Sequence, residues 1–132
     1  PFFFFFPGKE PAGKTSDRPV LGTDIFATLH ASAGVAKPKG EYIESYDLLP
    51  YLTGKHQEDP HEWLFWRQSH KTAFRVGDMK ILRQSRKKWE LYDLGKDPAE
   101  TKDLIQDQPK QFNVLFDGWE KINGNMVDPH FR

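Results

Sequence analysis

Cationic and aromatic side chains are concentrated in the middle of the chain, across a predicted β-hairpin. The group consists of Trp66, Arg67, His70, Lys71 and Arg75. Arginine and lysine donate charge-assisted hydrogen bonds to anionic oxygens, and a flat indole ring suits the apolar face of a sugar. The sequence therefore predicts a binding surface for an anionic ligand. The alternative is that Trp66 belongs to the core and that the cations are surface residues or pair with nearby carboxylates.

Two histidines lie in a polar segment beside several carboxylates, but their spacing does not define a metal geometry. His56 and His61 have Glu58, Asp59 and Glu62 close to them in sequence. Metal sites use ligands whose spacing allows a defined coordination geometry, and this segment has no such spacing. We interpret both histidines as solvated loop residues and predict no metal site.

Pairs of a nucleophile and a base are equally poorly supported. Asp24 and His30 are six residues apart on a predicted helix and so do not share a face. Ser69 and His70 lack a third member that would orient the histidine. We therefore predict no catalytic residue in this chain.

Two further charged groups have plain interpretations. Segment 83–88 contains four basic residues, and we interpret it as a solvated loop between two strands, with anion binding as the alternative. Asp103 and Asp107 have a helical spacing but no third oxygen ligand nearby, which makes a weak site for a hard cation.

The composition is that of an ordinary globular chain and excludes several classes of function. Among 132 residues, 19 basic and 19 acidic side chains cancel, so there is no electrostatic case for binding nucleic acid or a membrane surface. No apolar run approaches the length of a membrane span. The absence of cysteine excludes a disulfide framework.

The first elements to position these groups are a strand and a helix. Residues 2–6 are five consecutive phenylalanines, apolar on both faces, which is typical of a central strand covered on each side. Nothing later in the chain clearly supplies partner strands, and residue 1 is not methionine, so we expect a C-terminal fragment of a larger protein. A helix is predicted over 24–33 with Ile25, Phe26 and Leu29 on its apolar face, closed by a left-handed Gly34, and a short helical turn follows over 46–52.

The second half predicts an antiparallel meander of four strands. The predicted strands are 63–66, 72–76, 79–83 and 89–92. The residues of the first strand, 63–66, are all apolar, which predicts that it is buried on both faces. In the second strand, alternation predicts that Phe74 and Val76 point inward. Gly77 and Asp78 form a two-residue hairpin turn.

After the last strand, Asp97 is predicted to cap a helical first turn, with Pro98 at its first position and Glu100 bonding back to the cap. A longer helix begins near Asp107 and Pro109. Its apolar side chains recur every three or four residues, at positions 112, 115, 116, 119 and 122. Four strands with one helix laid across a face form a two-layer sandwich.

Several segments together resemble the closing part of the sulfatases. In chain order they are residues 7–20, 23–34, 47–54, 74–80 and 89–101. The last segment is the most specific, with the Glu-Leu-Tyr-Asp-Leu run at 90–94 followed by Asp-Pro-Ala-Glu-Thr at 97–101. The likeness spans roughly residues 7–107, and departs from the family at Ala27 and at Glu44–Ser45, where no chemistry is expected.

The resemblance implies a sulfuric ester hydrolase whose catalytic groups lie elsewhere. Sulfatases form a formylglycine nucleophile from the first residue of a Cys/Ser-x-Pro-x-Arg motif and bind a divalent cation. This chain has no cysteine, and none of its five serines begins such a motif. We therefore expect the fragment to be inactive, with calcium and formylglycine belonging to the full-length enzyme.

The resemblance also implies an organisation and partners. Residues 1–54 would be the end of an alkaline-phosphatase-like α/β catalytic domain, and 55–132 an antiparallel-sheet subdomain with its helix. The partners would be the remainder of the catalytic domain and a sulfated small molecule or glycan, which the five cationic and aromatic residues would help to bind. The family favours an exported protein.

Two other functions remain open at this point. One is another hydrolase of the alkaline-phosphatase-like superfamily, such as a phosphodiesterase, which would share the fold. The other is a non-catalytic interaction module.

Overall fold

The chain divides into two units, Pro1–His61 and Glu62–Arg132. The computed structural model describes residues 3–8, 13–35, 44–84 and 88–127. Most of the predicted loop over 35–45, part of the basic segment 83–88 and the end of the C-terminal tail lie outside the described residues. The assignment of 1–54 and 55–132 to two parts of a sulfatase remains a prediction.

The first unit contains two helices joined by loops. Helix α1 spans Thr23–Ser32 and the single-turn helix α2 spans Leu49–Leu52, as predicted within one to three residues. Gly34 and Gly54 follow them with φ of 69° and 81°, the left-handed conformation in which glycine ends a helix without a steric penalty.

The buried face of α1 consists of Asp24, Ala27 and Thr28, which contradicts the apolar face predicted from Ile25, Phe26 and Leu29. All three are exposed, Leu29 by 56% of its surface, whereas Asp24 and Thr28 are fully buried. The reason is hydrogen bonding. Asp24 and Thr28 accept hydrogen bonds from backbone N–H groups of the segment that follows residue 43, so that segment covers their face of the helix.

The described part of the phenylalanine run, residues 3–6, forms no strand. Phe3 and Phe5 are almost fully exposed, while the rings of Phe4 and Phe6 stack with centroids 6.0 Å apart. Within the described part of the chain, the strands pair with one another in one sheet, and these phenylalanines are not part of it.

The second unit is a four-stranded antiparallel meander, which confirms the predicted sheet. Its strands are β1 Leu64–Gln68, β2 Lys71–Val76, β3 Met79–Arg83 and β4 Trp89–Asp93, in the spatial order β1-β2-β3-β4. Gly77, with φ of 56°, and Asp78 form the turn between β2 and β3. Residues Ser69 and His70 form an equally short turn between β1 and β2.

Helix α3, Pro109–Gly124, packs on one face of the sheet, which we call the inner face. The core between them contains Phe74, Ile81, Leu91, Leu115 and Trp119, and the other predicted stripe residues of the helix pack against it. The helix approaches closely because residue 118 is glycine. A Cβ at that position would lie 2.9 Å from Cε1 of Phe74.

Two predicted burials on the sheet are wrong. Trp66 is 41% exposed, so β1 is not buried on both faces, and Val76 is also exposed. Trp66 pairs in register with Ala73, which pairs with Leu82, and all three lie on the face opposite α3. Val76 is the last residue of β2, beside the turn, where the core no longer covers it.

The segment after β4 is a loop and not the predicted helical turn. Asp97 does accept hydrogen bonds from the backbone N–H groups of Thr101 and Lys102, at 2.7 and 2.9 Å. Glu100, however, has φ of 55° and points its carboxylate to Lys80 rather than back to the cap. A left-handed residue cannot continue a right-handed helix, so the capped turn ends there.

Candidate functional site

A concave surface of about 630 Å³ lies on the second unit. Ligand pockets in proteins enclose roughly 300–1,000 Å³, so this volume is sufficient for a small ligand. The residues that border it are Phe65, Trp66, Arg67, Gln68, Lys71, Thr72, Ala73, Lys80, Leu82, Arg83, Gln84 and Glu100. We call it the outer-face cavity, because strand alternation places most of its side chains on the face opposite α3.

The alternation separates the bordering residues into two groups. Thr72 and Arg83 pair with each other in register, and Thr72 accepts a hydrogen bond from Trp119 of α3, so both side chains belong to the inner face. Trp66, Ala73 and Leu82 pair across three strands on the outer face and form an apolar floor. The exposed indole of Trp66 is the largest part of this floor that a ligand could contact.

Polar side chains stand at one end of the floor. Gln68 pairs with Lys71 across the β1–β2 turn, and Gln84 follows Leu82 by two residues, so all three share the outer face. All three are exposed. Among the residues that the structure describes, no carboxylate forms an ion pair with Lys71.

An ion pair stands at the other end. Nζ of Lys80 donates a hydrogen bond to Oε1 of Glu100 at 2.5 Å, and both side chains are less than one third exposed. The loop that carries Glu100 is held by Asp97, whose pKa is lowered chiefly because its carboxylate accepts a hydrogen bond from the backbone N–H of Lys102. The outer-face cavity thus has an apolar floor between a cationic end and a neutralised end.

The structure brings together only part of the predicted binding group. Trp66 and Lys71 lie over the outer-face cavity. Arg67 borders it, but its guanidinium donates hydrogen bonds to Asn123 Oδ1 and to the carbonyl oxygen of Val127. Those bonds hold its side chain beside the end of α3.

The other two members lie away from the cavity. His70 is in the β1–β2 turn. Arg75 lies on the outer face beside Lys80, but its Nε donates to the carbonyl oxygen of Gly77 at 2.6 Å and its guanidinium lies 3.8 Å from Asp78. Whether any of the five binds a ligand remains a prediction.

The predicted group did not include four polar residues on the outer-face side of the cavity: Gln68, Lys80, Gln84 and Glu100. The sequence contained a signal for two of them. With two-residue turns at both hairpins, period-2 alternation puts Gln68 and Gln84 on the same face as Lys71. No local signal identified Lys80, because its partner, Glu100, lies 20 residues further on.

A buried pair in the first unit was also missed. Nε2 of His61 lies 2.8 Å from Oδ2 of Asp24, with side-chain exposures of 4% and 0%. The same carboxyl group accepts hydrogen bonds from the backbone N–H groups of Leu21 and Tyr46 at 2.7 and 2.9 Å. Our interpretation of His61 as solvated is therefore wrong. The pair is structural, because its oxygens are already engaged and water cannot reach them.

His56 agrees with the prediction of an exposed loop residue. It is about half exposed and contacts Glu58 at 2.6 Å. This hydrogen bond is the main reason why the pKa of Glu58 is lowered. Within the described ranges, no three histidine, aspartate or glutamate side chains come together in a way that could hold a metal ion.

The described basic residues of segment 83–88, and Asp103 and Asp107, form contacts within the second unit. The guanidinium of Arg83 lies 5.1 Å from the ring of Trp89 and 5.7 Å from that of Trp119, so its interpretation as part of a solvated loop is wrong. Lys88 is exposed and lies 3.9 Å from Asp103. Asp103 also accepts hydrogen bonds from two backbone N–H groups, and Asp107 pairs with Lys102.

No helix in the described residues has both the length and the apolar character that crossing a bilayer requires.

Comparison with known proteins gives a consistent result. Residues 1–125 match the family model described as N-sulphoglucosamine sulphohydrolase, C-terminal. The chain is 32% identical over 130 residues to Delta 4,5-hexuronate-2-O-sulfatase of Bacteroides thetaiotaomicron, covering 87% of this chain and 26% of that protein. It is 43% identical over 54 residues to steryl-sulfatase of Homo sapiens, covering 41% of this chain and 9% of the human protein.

Solved structures share the fold. The crystal structure of Ps i-CgsB in complex with k-i-k-neocarrahexaose superposes with a TM-score of 0.78 at 21% identity, covering 95% of this chain and 29% of that one. The chain thus spans between about a tenth and a third of the length of these proteins.

Proposed function

Because the chain belongs to the sulfatase family, matching its C-terminal model over residues 1–125, we propose that it is the C-terminal portion of an enzyme that hydrolyses sulfate esters. The family match carries this proposal, since it names a sulphohydrolase and covers nearly the whole sequence. Formylglycine and calcium belong to the proposed whole enzyme. The residues described here do not fit a calcium site, because they bring no three acidic or histidine ligands together.

The test of this proposal is an activity comparison. The purified chain is expected to show no turnover of an aryl sulfate, because it contains no cysteine and no serine in the formylglycine motif. The longer protein that contains this chain is expected to turn over the same substrate. Turnover by the purified chain, or hydrolysis of phosphate but not sulfate esters by the longer product, would contradict the proposal.

The role of this portion is to contact part of a sulfated sugar through the outer-face cavity. The observation that carries this role is the exposed indole of Trp66 next to Lys71, which has no carboxylate partner among the described residues. The indole offers a flat surface for a sugar ring, and the ammonium group offers charge-assisted hydrogen bonds to sulfate oxygens. A relative that is 32% identical acts on a hexuronate 2-O-sulfate, to judge from its name, which supports a sugar ligand.

Calorimetric titration of the purified chain with a monosulfated disaccharide tests this role. We expect Trp66→Ala and Lys71→Gln each to weaken binding about tenfold, from the loss of stacking or of a charged hydrogen bond. Lys110→Gln is the matched control, since Lys110 is an exposed lysine at the start of α3, away from the cavity. Equal weakening by the control would indicate nonspecific charge attraction and would remove the support for the site.

The partner of this portion is the remainder of the catalytic domain. Exposed apolar side chains in the first unit support this, namely Phe3, Phe5, Ile25, Phe26 and Leu29. Large exposed apolar surfaces mark docking faces. The isolated chain is expected to self-associate in size-exclusion chromatography, and Leu29→Gln is expected to reduce the associated fraction. A monodisperse chain that binds no hydrophobic dye would contradict this.

A further inference from the structure

We propose that the outer-face cavity selects a sugar ring that carries an anionic substituent on one side and free hydroxyl groups on the opposite side. Lys71 takes the anion, Trp66 takes the ring face, and Glu100 takes the hydroxyl groups. This inference rests on the proposed function and deepens it, because it specifies which sulfated sugars the cavity accepts and which it rejects.

The sheet register sets the order of the three groups. On the outer face, Lys80 lies one side-chain row from the Trp66 row, and Lys71 lies one row from it on the other side. Side chains on one face of a strand recur about every 6.7 Å, so the two end rows are about 13 Å apart at the backbone. The row of Trp66, Ala73 and Leu82, the apolar floor, lies between them, and one sugar ring seated on this floor can present opposite edges to the two ends.

The two ends differ in charge. The charge of Lys80 is compensated by Glu100 at 2.5 Å, whereas no described carboxylate pairs with Lys71. An anion is therefore attracted to the Lys71 end, whereas the Lys80–Glu100 pair at the other end carries no net charge that would attract it. Glu100 uses Oε1 for Lys80, and no described residue donates a hydrogen bond to its Oε2. That oxygen can accept hydrogen bonds from sugar hydroxyl groups.

The position of Glu100 is imposed by its loop. Its φ of 55° is uncommon for a residue with a side chain, and its backbone N–H donates to the carbonyl oxygen of Asp97 at 3.1 Å. Asp97 in turn accepts hydrogen bonds from the two residues that follow Glu100. A conformation of this kind persists only where the surrounding structure holds it, and such conformations are frequent at binding sites. The carboxylate is therefore already in place before a ligand arrives.

The experiment is an NMR titration of the full chain with three forms of one N-acetylhexosamine. The forms carry no sulfate, one sulfate, or two sulfates on opposite sides of the ring. The wild type is expected to bind the monosulfated sugar about tenfold more tightly than either of the others. Lys71→Gln is expected to reduce its affinity to that of the unsulfated sugar, and Lys110→Gln is expected to change nothing.

Glu100→Gln is the decisive variant. It leaves Lys80 without its carboxylate partner, so the second end becomes cationic and the preference for one sulfate over two is expected to fall about tenfold or to reverse. Lys80→Met acts as the second variant, because it leaves the Glu100 charge uncompensated and should sharpen the preference. Unchanged preference in both variants would overturn the inference while leaving the binding role intact. Failure of all three sugars to bind the wild type would overturn both.

Discussion

Substitution of Asp24 should be the most damaging single polar change in the first unit. The Asp24 carboxyl group is fully buried and serves three partners: the backbone N–H groups of Leu21 and Tyr46, and the ring of His61. Asp24→Ala would leave two backbone donors and an imidazole without an acceptor in a site that water does not enter. Removing one member of a buried pair costs about 3–5 kcal/mol, and we expect a loss in this range.

Hydrogen exchange at the Tyr46 amide is the assay of choice, because two structural units need not unfold together and a single global free energy would then be ill defined. The expected result is a large loss of protection at Tyr46 in Asp24→Ala and a smaller one in Asp24→Asn, which keeps one acceptor oxygen. Asp17→Ala is the control, since Asp17 is exposed in the same unit and forms no described ion pair. If Asp24→Ala matched Asp17→Ala within about 0.5 kcal/mol, the reasoning about the buried carboxyl group would be refuted.

Three further changes have defined outcomes. Gly118→Ala gains about 1 kcal/mol of helix propensity but places a Cβ against buried Phe74, and we expect a net destabilisation of about 0–2 kcal/mol in chemical denaturation; clear stabilisation would mean that the ring can move. Trp119→Phe removes the 2.8 Å hydrogen bond to Thr72 and part of the core, with an expected loss of about 1–3 kcal/mol; an unchanged denaturation midpoint would contradict it. The pKa of Asp97 is lowered in the folded loop, so the contribution of its carboxylate to stability should be complete above the ordinary pKa of 3.8 and lost as the pH falls through the lower pKa of the folded loop. NMR shifts of the loop amides should follow this loss, and no change in them would mean that the carboxylate is not a hydrogen-bond acceptor.

The pattern of residues along the chain predicts the second unit well because its contacts are local. Strands β1, β2 and β3 are joined by turns of two residues, as at Gly77 and Asp78, so alternation along one strand determines which side chains meet on the next. The start of α3 at Pro109 and its apolar stripe follow from proline at a first helical position and from helical periodicity. The same run of local signals made the resemblance to sulfatases recognisable.

The candidate site could be predicted only in part. Trp66 and Lys71 were identified by residue type, yet Arg67, adjacent to Trp66, points to the opposite face and bonds to Asn123 at the end of α3. Residue type indicates which ligand groups a side chain can bind. Only the pairing of β1 with β2 determines on which face of the sheet that side chain lies.

What the sequence by itself determined is the family, the meander and its helix, because these depend on contacts between near neighbours and on repeating patterns. What only the tertiary structure decided is where the buried and paired polar groups lie. Asp24 pairs with His61, which lies 37 residues further along the chain, and Lys80 pairs with Glu100, which lies 20 residues further along. A charged side chain can pair with many candidates of opposite charge along a chain. Folding selects one of them through the packing of distant backbone segments, and no local pattern records that selection.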